Sequence, residues 1–197
     1  MARKVFIWVA HPRRTSLTTA LADAYEKGVR GAGGEVRRID LADMAFDPGF
    51  AGYTGRPDGE DGLEPSLRAW QEAIAWADHV TVLHPYWWGG MPAMAKAVID
   101  KALLPGFGFR YRPNSVLWDK LLTGRTGHVI INSDTPPWYD TLIYRRPGRR
   151  VMTNQILGFC GIKVTAALQV GTVKTASKRK IARWLAKAEK LGAKAAG

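Results

Sequence analysis

Residues 4–10 read KVFIWVA, a run in which only the first position is charged. Such a segment has no polar face to turn to water. A strand of this kind needs cover on both faces, the situation of a strand inside a parallel sheet. The next segments narrow the choice. Residues 11–18 (HPRRTSLT) are a polar loop, and Leu17, Ala20, Leu21, Ala24 and Val29 then fall mostly at helical spacing as far as Arg30. The glycine-rich 31–34 stops that helix, and 35–41 (EVRRIDL) reads as a second, shorter strand nearer the sheet edge. Strand, helix, glycine turn and strand make a βαβ unit, with parallel strands and a right-handed crossover.

The pattern continues. Residues 43–65 are rich in Gly, Pro and acids, a long loop with Phe46, Phe50 and Tyr53 available to order it; loops of this length are usually functional or interface elements. A helix over 66–77 puts Leu67, Trp70, Ile74 and Ala77 on one face, and 78–84 (DHVTVLH) is the third strand. Pro92 starts a helix running to 104, residues 106–111 (GFGFRY) form a loop, and 126–132 (TGHVIIN) is the fourth strand. Next come a loop over 133–139, a helix over 151–159 and a fifth strand over 162–170. Ser177 caps a last helix with Ile181, Trp184, Leu185, Ala188 and Leu191 inward. Alternating strands and helices predict an α/β three-layer sandwich in one domain over 1–197. The expected parallel sheet order is 2-1-3-4-5, with a switch point between strands one and three, where ligands bind outside the carboxyl ends.

The chemistry sits in the loops after strands one, three and four. Strand three ends in Pro85, Tyr86, Trp87, Trp88 and the glycines Gly89 and Gly90. Adjacent aromatics with glycines beside them make a floor for a flat ring such as a flavin, with backbone groups near the ring edge. The alternative is a core cluster under Pro92, although adjacent tryptophans point to opposite sides. After strand one, Thr15, Ser16 and Thr18 offer hydroxyls at a helix start, which serve either as simple caps or as a phosphate site. His11 is either structural there or a donor to that phosphate. No G-x-G-x-x-G and no G-x-x-x-x-G-K-[ST] is present. After strand four, Ser133, Asp134 and Thr135 offer polar groups to a ring edge. Tyr139 is either a surface aromatic or a donor to charge developing on a reduced ring. The Asp134 carboxylate would repel such a charge and is expected to turn outward.

Other classes fare poorly. There is no G-x-S-x-G, the histidines have no metal-ligand spacing, and His79, His84 and His128 read as structural residues of strands. Cys160 is the sole cysteine, so no intrachain disulfide forms, and it reads as core. Of the net charge of +12, +7 lies in 174–197, eight Lys or Arg against one Glu. A basic terminal helix reads as a solvated face, and no nucleic-acid partner is expected. No apolar run approaches the ~20 residues of a membrane span. The short apolar run near the start leads into HPRR rather than a cleavage site, so a cytoplasmic protein without membrane insertion is expected. The remaining positives lie at 11–14 and 145–150, loops where a phosphate-bearing cofactor or dinucleotide could sit.

Several of these residues recur together. Ala10-His11-Pro12 with Thr15-Ser16-Leu17-Thr18, the run Pro85-Tyr86-Trp87-Trp88-Gly89-Gly90-Met91-Pro92-Ala93, Lys96, Asp100-Lys101, residues 106–111 and residues 155–161 (QILGFCG) stand in order over most of the chain. In these motifs the chain resembles the flavodoxin-like NAD(P)H:quinone oxidoreductases of the DT-diaphorase type, with the modulator-of-drug-activity and potassium-efflux ancillary flavoproteins as relatives. The resemblance implies a homodimeric two-electron reductase: NAD(P)H reduces a bound flavin, which then passes the hydride to a quinone-like acceptor. It implies that His11, Ser16, Leu17 and Thr18 hold the flavin phosphate end. Pro85, Tyr86, Trp87 and Trp88 would contact the isoalloxazine, Ser133, Asp134 and Thr135 its polar edge, and Tyr139 would stabilise the reduced ring. The family commonly has a glycine pair where Thr135-Pro136-Pro137 stands, and its histidine shortly after the tyrosine is replaced by Tyr144 and Arg145. A histidine proton relay is therefore not expected. The short chain favours FMN, with FAD also found in small relatives. Arg145 to Arg150 are candidates to recognise a 2′-phosphate. Two other classes stand beside this: a flavodoxin-type electron carrier, disfavoured by the pI near 10.1, and a regulatory subunit of a transporter.

Overall fold

A computed structural model describes residues 2–49 and 63–197. Most of the long acidic loop, including Phe50 and Tyr53, lies outside the described residues. The main sheet is formed by β1 (Lys4–Val9), β2 (Glu35–Asp40), β3 (His79–Pro85), β6 (Thr126–Asn132) and β7 (Lys163–Val170). It is parallel throughout, in the order β2-β1-β3-β6-β7. Counted along the chain, this is the expected 2-1-3-4-5 order.

The continuous apolar runs are explained by cover on both faces. In β1 and the residue after it, Val5, Ile7 and Val9 enter one core, and Phe6, Trp8 and Ala10 enter the other. The same alternation divides Val129 and Ile131 from Ile130 in β6, as the two-residue period of a strand requires. One core is closed by α1 (Leu17–Gly31) and α7 (Lys178–Ala196). The other is closed by α2 (Pro65–Trp76), α3 (Ala93–Ala102) and the helical run 147–160. Each expected cap is in place: the Ser16 and Ser177 side chains accept from the N–H groups of Thr19 and Lys180. At Gly28 and Gly192 the backbones of α1 and α7 approach so closely that a Cβ at either position would overlap a carbonyl of the other helix.

Three elements depart from the sequence reading. Phe109–Tyr111, expected in a loop, forms β4 and pairs antiparallel with β5 (Trp118–Lys120), a hairpin set apart from the main sheet. Residues expected in the loop after strand four instead begin a helix, α4 (Pro137–Leu142). Pro136 and Pro137 occupy its cap and first turn, where a missing N–H loses nothing. The helix expected over 151–159 begins earlier, with α5 (Pro147–Arg150), and winds as a π-helix over Val151–Leu157 before α6 (Gly158–Cys160). Cys160 is buried, as expected.

Candidate cofactor-binding site

The carboxyl ends of β1, β3 and β6 lie side by side, and Asn132, the last residue of β6, joins their loops. Its side-chain Oδ1 accepts from the Thr18 hydroxyl at 2.7 Å, and its carbonyl accepts from the Tyr86 N–H at 2.9 Å. The start of α1 and the aromatic loop are therefore held by one residue. Sequence reading passed over Asn132; the available signal is a polar residue closing an apolar strand.

At the first loop, Ser16 is the N-cap, its Oγ accepting from the Thr19 N–H at 3.1 Å. The N–H groups of Leu17 and Thr18 belong to the open first turn, with the positive end of the helix dipole behind them. Thr15 is exposed beside them, while Leu17 packs its side chain against the core. Thr18 departs from its expected role as a hydroxyl ligand. It is buried, and its single hydroxyl proton is committed to Asn132, so only its backbone N–H faces outward chemistry. His11 is buried, and its Nδ1 accepts from the Arg13 N–H at 3.0 Å. That bond places the ring proton on Nε2. Burial, and secondarily the Arg13 charge, lowers the His11 pKa and keeps the ring neutral.

The aromatic loop is a tight turn. Trp87 and Gly90 exchange two backbone hydrogen bonds at 2.9 Å, and Trp88 and Gly89 have φ of 50° and 79°. Positive φ at both central positions is the type I′ arrangement. Trp88 stands at its tip, fully exposed, and Trp87 is 44% exposed, so the core-cluster alternative fails for both. Trp87 meets the edge of the His11 ring at 5.5 Å between centroids, joining the first and second loops directly. The Tyr86 and Trp87 N–H groups are used internally, which leaves those of Trp88 and Gly89 for a ring edge. Beneath the loop, His84 is fully buried and donates from Nδ1 to the Pro85 carbonyl at 2.8 Å. Burial lowers its pKa to about 4.

The third loop is held down. Ser133 is buried and donates its hydroxyl to the Thr135 carbonyl at 2.8 Å. Asp134 is exposed and, as expected, turned away, accepting from the Lys174 N–H at 2.6 Å. Tyr139 lies on α4 between Trp138 and Tyr144, edge-on to each. Among the described residues its hydroxyl has no hydrogen-bond partner. Its neighbour Asp140, which sequence reading missed, is 1% exposed and accepts from the Tyr86 hydroxyl at 2.8 Å and from Gln169 Nε2 at 3.0 Å. Burial first, and the Asp140 carboxylate second, push the Tyr86 pKa up to about 12. Tyr86 is thus a committed donor. Gly148 lies flat against this arrangement, since a Cβ there would collide with the Tyr86 ring and sit 2.7 Å from the Gly89 carbonyl.

A parallel doubly wound sheet whose loaded loops converge at its switch point is the α/β architecture in which ligands sit outside the carboxyl ends of the strands. The chain belongs to the Flavodoxin-like fold family, whose model matches residues 3–191. It is 29% identical to NAD(P)H dehydrogenase (quinone) 1 of Rattus norvegicus over 60% of this chain and 48% of that protein, so it spans about half the length of that relative. The solved NAD(P)H:quinone oxidoreductase of Methanothermobacter marburgensis shares the fold with a TM-score of 0.79 at 21% identity, covering 98% of each chain. An FMN-dependent NADH-azoreductase of Bacillus anthracis, solved in complex with FMN, shares it with a TM-score of 0.73 at 16% identity, covering 99% of this chain and 100% of that one. No helix among the described residues is long and apolar enough to cross a membrane.

Proposed function

We propose that this chain is a flavin-dependent NAD(P)H oxidoreductase that reduces a quinone-like acceptor by two electrons. The observation that carries the reading is the junction of Trp87, neutral His11 and the open start of α1 at the switch point. It combines an aromatic wall with an anion cradle, the two halves of a flavin mononucleotide. The rat relative's quinone dehydrogenase name supports the reaction, and the FMN complex of the Bacillus anthracis relative supports FMN over FAD.

The bound flavin would take a hydride from NAD(P)H and release it to the acceptor. The chain's residues bind and orient. The N–H groups of Leu17 and Thr18, the Nε2–H of His11 and the hydroxyls of Thr15 and Ser16 hold the phosphate. Pro85, Tyr86, Trp87 and Trp88 form the wall against the ring, and the N–H groups of Trp88 and Gly89 meet its edge. Tyr86 acts by packing, because its proton is committed to Asp140. With the Ser133 hydroxyl, N–H and carbonyl all committed, the backbone of Asp134, together with Thr135, serves the polar edge. Tyr139, whose hydroxyl has no hydrogen-bond partner among the described residues, would donate a hydrogen bond to charge developing on a bound ring. The exposed side chains of Trp88, Tyr111, Leu117, Trp138 and Leu142 supply the apolar area for a homodimer.

The purified chain should bind FMN, the flavin should bleach on anaerobic addition of NAD(P)H, and benzoquinone should restore its colour. Flavin that stays oxidised under NAD(P)H overturns the reading and marks an electron carrier. The dimer is checked separately by light scattering of the eluting protein.

A further inference from the structure

Residues 145–150 read RRPGRR, between α4 and the π-helical segment. Arg145 and Arg146 both have left-handed backbone, with φ of 59° and 55°. That region is disfavoured for any residue with a Cβ, and two such residues in succession need support from their surroundings. The support is visible. The Arg146 N–H donates to the Asp140 carbonyl at 2.9 Å, Arg146 Nε donates to the Thr141 hydroxyl at 2.9 Å, and the Arg150 N–H donates to the Arg146 carbonyl at 2.9 Å.

The strained turn decides where the remaining guanidinium groups go. Arg145 and Arg150 line one open cleft of about 260 Å³, together with Tyr144, Asn154 and Gln155. Arg14, Arg30, Arg38 and Arg112 each rest on a carboxylate. Arg145 and Arg150 have no acidic partner among the described residues, and no acidic residue lines their cleft. Two uncompensated guanidinium forks suit a phosphate monoester, which each can grip through paired N–H donors. Tyr144 adds an aromatic face and the two side-chain amides add hydrogen bonds, the complement of a purine and a ribose. The cleft is too small for a whole dinucleotide. It also adjoins the candidate site, because the Tyr144 ring meets Tyr139 edge-on at 5.1 Å.

We infer that this cleft receives the 2′-phosphate end of NADPH, so that the protein prefers NADPH to NADH; the inference rests on the proposed nicotinamide-nucleotide chemistry. Calorimetric titration of the protein, purified with FMN present, should show 2′,5′-ADP binding more tightly than 5′-ADP or inorganic phosphate. The expected gap is about tenfold for each guanidinium engaged, the size of a charge-assisted hydrogen bond. Arg145→Asn removes the cation while tolerating the left-handed backbone, and Arg150→Gln keeps helix propensity. Each should narrow the gap and the pair should close it, and the ratio of kcat/KM for NADPH over NADH should fall in parallel. Equal binding of 2′,5′-ADP and 5′-ADP overturns the inference. So does inorganic phosphate binding as tightly as 2′,5′-ADP, or a coenzyme ratio unmoved in the folded double variant. If neither dinucleotide is oxidised but 2′,5′-ADP is still preferred through these arginines, the oxidoreductase reading falls and the 2′-phosphate site stands.

Discussion

Replacing Asp140 by Ala tests how the aromatic wall is held. The carboxylate is 1% exposed and accepts hydrogen bonds at 2.8 Å from Tyr86 and 3.0 Å from Gln169. Hydrogen bonds to a charged group contribute about 1.5–3 kcal/mol each, so the gross loss is about 3–6 kcal/mol. Removing a buried carboxylate also removes its desolvation penalty, which amounts to several kcal/mol. Half-buried Tyr86 can turn its hydroxyl to water. The net loss should therefore be about 2–3 kcal/mol, read from urea unfolding with an unchanged slope. Asp140→Asn keeps an acceptor for Tyr86, and Gln169 can turn its amide, so that loss should stay near 1 kcal/mol. FMN affinity in Asp140→Ala should fall by about tenfold as the Tyr86–Trp87 backbone loosens, about 1.4 kcal/mol. A double-mutant cycle with Tyr86→Phe isolates the pair and should give a coupling of about 1–2 kcal/mol. A coupling within error of zero, together with unaltered FMN affinity, would show that the wall stands without Asp140.

Stability should fall in mild acid. Burial lowers the pKa of His79 to about 3 and of His84 and His128 to about 4, below the ordinary 6.5. The unfolded chain therefore binds protons first, and stability complete above pH 6.5 is lost as pH falls towards 4. The slope is about 1.4 kcal/mol per pH unit for each histidine; a His84→Phe variant with the same slope would contradict this. Gly148→Ala should weaken FMN binding more than it lowers the melting temperature, because the added Cβ displaces Tyr86 and the Gly89 carbonyl; equal FMN affinity by fluorescence titration argues against that contact. Burial pushes the Cys160 thiol up to about 12, so it should resist a disulfide reagent in native buffer and react only in denaturant.

The sheet is legible in the residues alone because its determinants are local. A strand buried on both faces must read as a continuous apolar run, and KVFIWVA can satisfy that requirement in few other ways. Ser16 and Ser177 announce their helices for a similar reason, since a cap acts within three residues. The position of the loaded loops is also local, once strand order sets the switch point. Short elements are the weak points. β4 and β5 are three residues each, too few to show a period, and the prolines opening α4 look alike in a loop and in a first turn.

The chemistry of the site is decided across long separations. Thr18 and Asn132 meet over 114 positions, Tyr86 and Asp140 over 54. No local pattern marks such a pair, because a hydroxyl or carboxylate carries the same letter whether it faces solvent or a buried partner. Folding is what commits the Thr18 and Tyr86 protons inward, leaves the Tyr139 hydroxyl without a partner among the described residues, and gathers Arg145 and Arg150 into one cleft. The sequence alone puts a hydroxyl-rich loop and an aromatic loop at this edge of the sheet, with capping and core packing as alternatives to a flat, anionic ligand. Which groups remain free to touch it depends on how the chain commits its donors when β1, β3 and β6 come together.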